Sequence, residues 1–199
     1  MSDPLPVASS DGAPPEEMPE ASAAGYARIA EQWALLPGGW RGVDRAIVRG
    51  TEGILVVAGV LFTAMITLEV ILRYVFSFSI SFVNAAARLL LVWFFMLGAG
   101  IAMRHGAHVG FELLVSRLSA RRRHVVVMTS LVLTAAFCIE MTWAGCMALG
   151  AASAQTEPGL GISLLWPLLA IPVGFALLLY HAIVVIRVET RRGSAEANR

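Results

Sequence analysis

The sequence predicts an all-α integral membrane protein: four transmembrane helices with amphipathic interfacial helices beside them, and both chain ends in the cytoplasm (N-in/C-in). Composition is the first sign. Of 199 residues, 57% are hydrophobic and 15% charged, with a mean hydropathy of +0.72; an ordinary soluble domain carries about 25% charged residues. The second sign is distribution. Charges concentrate in the first 52 residues, between Arg104 and Arg123, and after Arg187, and long apolar stretches run between these blocks. The third is the confinement of arginine to one side of those stretches.

Taken in order, residues 1–22 combine Pro, Ala, Ser and acidic residues with few large apolar side chains, the composition of a disordered cytoplasmic leader. A secretory signal would put its basic and apolar regions first; here the first long apolar stretch starts near residue 53. Residues 23–52 form an amphipathic interfacial segment, with Tyr26, Ile29, Trp33 and Leu36 at helical spacing and Pro37-Gly38-Gly39 as the stop. A surface helix and a docking helix for a partner both fit it. A helix crosses hydrocarbon with about 20 apolar residues, and four stretches reach that length, at about 53–76, 85–103, 124–150 and 162–186. Helices are the natural form because lipid offers no partner for backbone polar groups, and the period-two alternation of a membrane barrel is absent. Between the second and third spans, residues 109–118 place Val109, Leu113, Leu114 and Leu118 on one face, an interfacial helix from which Arg117 and Arg121 can reach headgroups. In the fourth span Pro167 stands near the start, where it is tolerated, whereas Pro172 should kink the helix. The membrane domain thus occupies residues 53–187, and residues 188–199 form a cytoplasmic tail.

Orientation follows from the tendency of cytoplasmic loops to hold the basic residues. Arg41, Arg45 and Arg49 precede the first span, Arg104, Arg117, Arg121, Arg122 and Arg123 join the second to the third, and Arg187, Arg191 and Arg192 follow the fourth. On the other side residues 77–84 are uncharged and residues 151–161 carry only Glu157. All fifteen basic residues are arginine, which carries no functional message.

Four charged residues lie within the spans: Glu69, Arg73, Arg88 and Glu140. Each falls in the outer half of its helix, and a charge near mid-membrane costs on the order of 3 kcal/mol by insertion scales. Glu69 and Arg73 stand at i, i+4 in the favourable order. The expectation is an outer-half polar cluster joining spans one to three, serving as an architectural clamp or phospholipid contact rather than an ion relay, because the inner halves supply only hydroxyls. Trp93, Trp166, Arg104 and His108 are expected at the interfaces.

Other chemistries are poorly supported. His105, His108 and Glu112 could share a helical face as metal ligands, but interfacial histidines without metal are the simpler reading, and His181 reads as a packing residue. Cys138 and Cys146 are eight residues apart, about 12 Å along a helix, beyond the roughly 7 Å Cα limit of a disulfide. The sequence shows no phosphate-binding Gly loop, nucleophile elbow, zincin pair or dinucleotide fingerprint, so a non-enzymatic role without a cofactor is expected. A net charge of +1 without aromatic-interleaved basic patches gives no footprint for nucleic acid. Gly98, Ala99, Gly100 and Ala102 form one small-residue seam, and Ala144, Gly145, Ala148 and Gly150 another.

A string of short motifs carries a resemblance. Arg73-Tyr74-Val75-Phe76 closes the first span; Arg88, Val92-Trp93 and Leu97-Gly98-Ala99 mark the second; Arg104 and His108 follow; Leu160-Gly161-Ile162 and Ile171-Pro172-Val173-Gly174-Phe175 mark the fourth. Over residues 44–187 this resembles the small permease subunit of tripartite ATP-independent periplasmic (TRAP) transporters, the DctQ-like family. One departure is Phe82-Val83-Asn84-Ala85-Ala86, where the family has an acidic residue before the arginine of the second span. The resemblance implies a scaffold or accessory subunit of a secondary transporter in the bacterial inner membrane. Its partners would be a large permease subunit that holds the substrate and sodium sites and a periplasmic substrate-binding protein that delivers an organic acid. The small membrane protein of a tricarboxylate-type tripartite system is an alternative, and a four-span metal or haem enzyme a more distant one.

Overall fold

The computed structural model describes residues 27, 29–34, 36, 38–78, 81–105 and 119–197. Its framework is four long helices: α1 (Gly38–Val75), α2 (Ser81–Arg104), α3 (Ala120–Ser153) and α4 (Leu165–Ala197). All four are long and apolar enough to cross a membrane, as the apolar stretches predict. Residues 29–34 add a short helical segment ahead of α1. The leader at 1–22, His108 and the expected interfacial helix at 109–118 lie outside the described residues.

The helices outrun their apolar stretches. α1 begins at Gly38 rather than near residue 53, and its 38 residues correspond to about 57 Å against a hydrocarbon thickness of about 30 Å. Packing explains this: residues 38–52 contain four glycines, poor helix formers, but Asp44, Val48 and Thr51 are buried there, and most helical stability comes from such packing. α1 ends where Ser77 takes a left-handed backbone (φ 52°) and the Phe78 amide donates back to the Leu72 carbonyl at 3.1 Å, in the manner of a helix C-terminus.

Substantial packing joins α1 to α2, α2 to α4, and α4 to α3. The spatial order is therefore a row, α1–α2–α4–α3, with the last helix in sequence lodged between the second and third. Small residues set the spacing. A Cβ at Gly59 of α1 would stand 3.3 Å from the Phe94 ring of α2, one at Gly174 of α4 only 2.6 Å from Met96 Cβ of α2, and one at Gly145 of α3 3.0 Å from Pro172 Cδ of α4. Of the α2 seam, Gly98 faces Leu55 and Gly100 faces His181 inside the bundle, whereas Ala99 and Ala102 are exposed. Close approach of this kind supplies the van der Waals contact on which helix association in lipid depends.

The arginine-rich ends of α1, α2 and α4 carry the hydrophobic core. Ile29, Trp33 and Leu36 from the N-terminal segment, Val48 from α1, Ile101 from α2 and Val184 from α4 form one buried cluster, with Leu55 and Tyr180 against it. Elsewhere most side chains face outward, including Val60, Leu61 and Tyr74 of α1 and Leu133, Trp143 and Met147 of α3. That is the pattern of a bundle whose solvent is lipid.

Candidate functional site

Polar chemistry gathers at both ends of the row, in contrasting forms. At the arginine-rich end Asp44 is the hub. Position 44 falls on the α1 face that turns toward α2 and α4, one turn before Val48, so its carboxylate enters the core instead of water. It is 1% exposed. Arg104, at the C-terminal end of α2, is fully buried and ion-pairs with Asp44 through Nη2. Trp33 Nε1 donates to Asp44 Oδ2 at 2.8 Å, and Tyr180 Oη of α4 donates to Asp44 Oδ1 at 2.8 Å. Gln32 Nε2 reaches the Arg104 carbonyl at 3.4 Å. One carboxylate thus binds the N-terminal segment, α2 and α4 to α1.

Neighbouring contacts hold the N-terminal segment in place. Arg41 donates from Nε to the Leu36 carbonyl at 2.8 Å and from Nη2 to the Ala34 carbonyl at 2.7 Å, satisfying acceptors that a short helix leaves open at its C-terminus. The Arg45 guanidinium lies 5.2 Å from the Trp33 ring centroid, within cation–π range. His181 is fully buried beside Tyr180, ring centroids 5.3 Å apart. Arg104, at the end of α2, is the buried counter-ion of Asp44. The physical reason is that an unpaired buried carboxylate is far costlier than a paired one. Weak signals for this knot stand in the sequence: Asp44 is the acid among Arg41, Arg45 and Arg49, and Tyr180-His181 places two polar side chains inside an apolar span.

At the opposite end the four intramembrane charges separate. Glu69 is buried and pairs with Arg73, 2.7 Å from Oε1 to Nη2 along one face of α1. Arg88 of α2 pairs instead with Glu157, at 2.9 Å. Glu157 is brought there by a tight turn between α3 and α4 in which Thr156 and Ser163 bridge. There the Glu157 amide donates to the Ile162 carbonyl at 2.8 Å, and Gly161 takes φ +66°, a conformation suited to glycine. Glu140 of α3 is exposed and stands apart from these pairs. The expected single cluster is therefore two ion pairs and one isolated carboxylate. The spacing of Glu69 and Arg73 was readable from sequence, whereas the Arg88–Glu157 pair depends on the geometry of the turn.

The remaining candidates take simple positions. Trp93 is half-buried on α2 and Trp166 exposed near the start of α4. Pro172 lies inside α4, packed against Gly145 of α3. His105 stands 3.4 Å from Glu52. Among the described residues no three His, Cys, Asp or Glu side chains gather as a metal site, and Cys138 and Cys146 are free thiols.

A row of four membrane-length helices, with three of its four intramembrane charges held in local ion pairs, defines a multi-pass membrane protein. Residues 62–192 match the family model of the DctQ component of tripartite ATP-independent periplasmic transporters. The match covers well over half of the chain, and the chain belongs to that family. No curated protein matches it. Trp33 and Asp44 precede the matched region, while Arg104 and Tyr180 lie within it, so the knot ties the family's helices to the segment in front of them.

Proposed function

We propose that this chain is the small, static subunit of a TRAP-type importer of an organic acid in the bacterial inner membrane. It holds a large permease subunit in the bilayer and contributes to the surface on which a periplasmic substrate-binding protein docks. Both termini and the Asp44–Arg104 knot face the cytoplasm, and the turn carrying Glu157 faces the periplasm, following the arginine asymmetry. Sodium coupling and substrate contacts reside in the large subunit. The family match carries this reading. It is supported by the pairing of three of the four intramembrane charges, Glu69 with Arg73 and Arg88 with Glu157, which suits a scaffold better than a pathway for ions.

The test is uptake of candidate carboxylates under a sodium gradient in vesicles holding the large subunit and binding protein, with and without this chain. Uptake is expected only with all three components. Uptake by this chain alone refutes the scaffold role.

A further inference from the structure

α3 is the end helix of the row, and along its outer side runs a stripe at helical spacing: Leu133, Ala136, Glu140, Trp143, Ala144 and Met147, every one exposed. Leu133, Trp143 and Met147 are 65%, 70% and 69% exposed, so the stripe faces away from α4. Small residues flank the carboxylate one turn to either side, at 136 and 144, where a neighbouring backbone could approach closely. Glu140 lies about 4 Å along the helix from the middle of the Arg122–Ser153 span, hence inside the hydrocarbon, about two turns from its outer boundary.

α1, the other end helix, also shows an apolar face, but its intramembrane charges are closed, Glu69 on Arg73. Arg88 of α2 is closed on Glu157. Among the described residues within the hydrocarbon, the carboxylate left facing outward without such an ion pair is Glu140. Lipid chains offer it no donor, and an uncompensated charge at this depth is strongly disfavoured. Apolar faces alone suit lipid; an apolar face with a carboxylate at its centre suits a protein helix that brings a donor.

We propose that the α3 stripe centred on Glu140 is the surface on which a membrane helix of the large subunit seats, and that this helix presents a guanidinium, an ammonium or a side-chain N–H or O–H to the Glu140 carboxylate. The proposal rests on the small-subunit reading above. α1 then faces lipid or the free side of the complex.

The experiment uses the co-expressed complex of this chain with its large subunit. A photo-crosslinking residue replaces Trp143 or Met147 on the stripe, or Val60 or Leu61 on α1. Adducts with the large subunit are expected from the two α3 positions and not from α1. Adducts from α1 alone, or α3 adducts only with lipid or with a second copy of this chain, overturn the proposal while leaving the subunit reading intact. Failure of the wild-type chain to copurify with the large subunit overturns both. In a second arm, Glu140→Leu removes the charge from the membrane, so the isolated variant should stay monodisperse and unfold at a temperature no lower than wild type, while recovery of the large subunit falls by about tenfold or more. Glu140→Gln, which keeps hydrogen-bonding capacity, should fall less. Unchanged recovery with Glu140→Leu overturns the proposal, because the charge would then have no partner.

Discussion

At the arginine-rich end a single carboxylate, Asp44, is sealed from solvent and bonded to three side chains from three segments. At the other end the arginines of the ion pairs reach the surface: the Arg73 and Arg88 side chains are 51% and 67% exposed. The same chemistry, guanidinium against carboxylate, thus serves two purposes. A buried pair is sensitive to loss of either member because the survivor is stranded, which typically costs 3–5 kcal/mol or thereabouts. An exposed pair contributes about 0–1 kcal/mol. One end of the row is fastened by its interior; the other leaves its ends to the turns and the bilayer.

The largest effect should come from breaking the hub. Arg104→Ala strands Asp44 and is expected to destabilise the detergent-solubilised chain by about 3–5 kcal/mol, read as a lowered thermal midpoint. The paired change Asp44→Leu with Arg104→Met should recover much of that loss, since a well-packed apolar pair can replace a buried ionic one. If the single variant unfolds like wild type, the contrast between the ends collapses. Next in size is Gly174→Ala: its Cβ would stand 2.6 Å from Met96 Cβ and 3.0 Å from the Met96 carbonyl oxygen, so α2 and α4 must separate, at about 1–3 kcal/mol. Trp33→Phe keeps an aromatic side chain but loses the pyrrole half of the indole and with it the donor to Asp44. It should cost about 1–3 kcal/mol, the usual penalty for leaving a buried acceptor short, and should raise protease access near residue 36. The smallest effect is expected from Arg88→Gln, at most about 1 kcal/mol. A large destabilisation there would show that the Arg88–Glu157 pair is a structural lock and not a surface contact.

How much of this was legible in the sequence follows from length scale. The four helices were readable because an apolar run long enough to cross lipid is a local signal, contained within some twenty residues. Glu69 and Arg73 were readable for the same reason, being one helical turn apart. The knot was not. Trp33, Asp44, Arg104 and Tyr180 are far apart in sequence, with Asp44 and Tyr180 separated by 136 positions. Asp44 and Arg104 also sit among arginines that have a sufficient local explanation in membrane topology. Their burial depends on α4 lying between α2 and α3, an order that hydropathy does not encode. Glu140 was readable as an intramembrane charge, but that it points away from the bundle depends on which face of α3 meets α4, fixed by Gly145 against Pro172.

That spatial order also bears on how the protein is made. Translation delivers α3 before α4, yet in the finished row α3 touches its neighbours chiefly through α4. The third helix must therefore enter the bilayer with no settled place in the bundle and wait, held by the connector after Arg104, until the fourth emerges from the ribosome and slots in beside Gly145. During that interval it is the element most open to capture by another polypeptide. A nascent chain stalled before residue 165 would leave α3 without the helix it packs against.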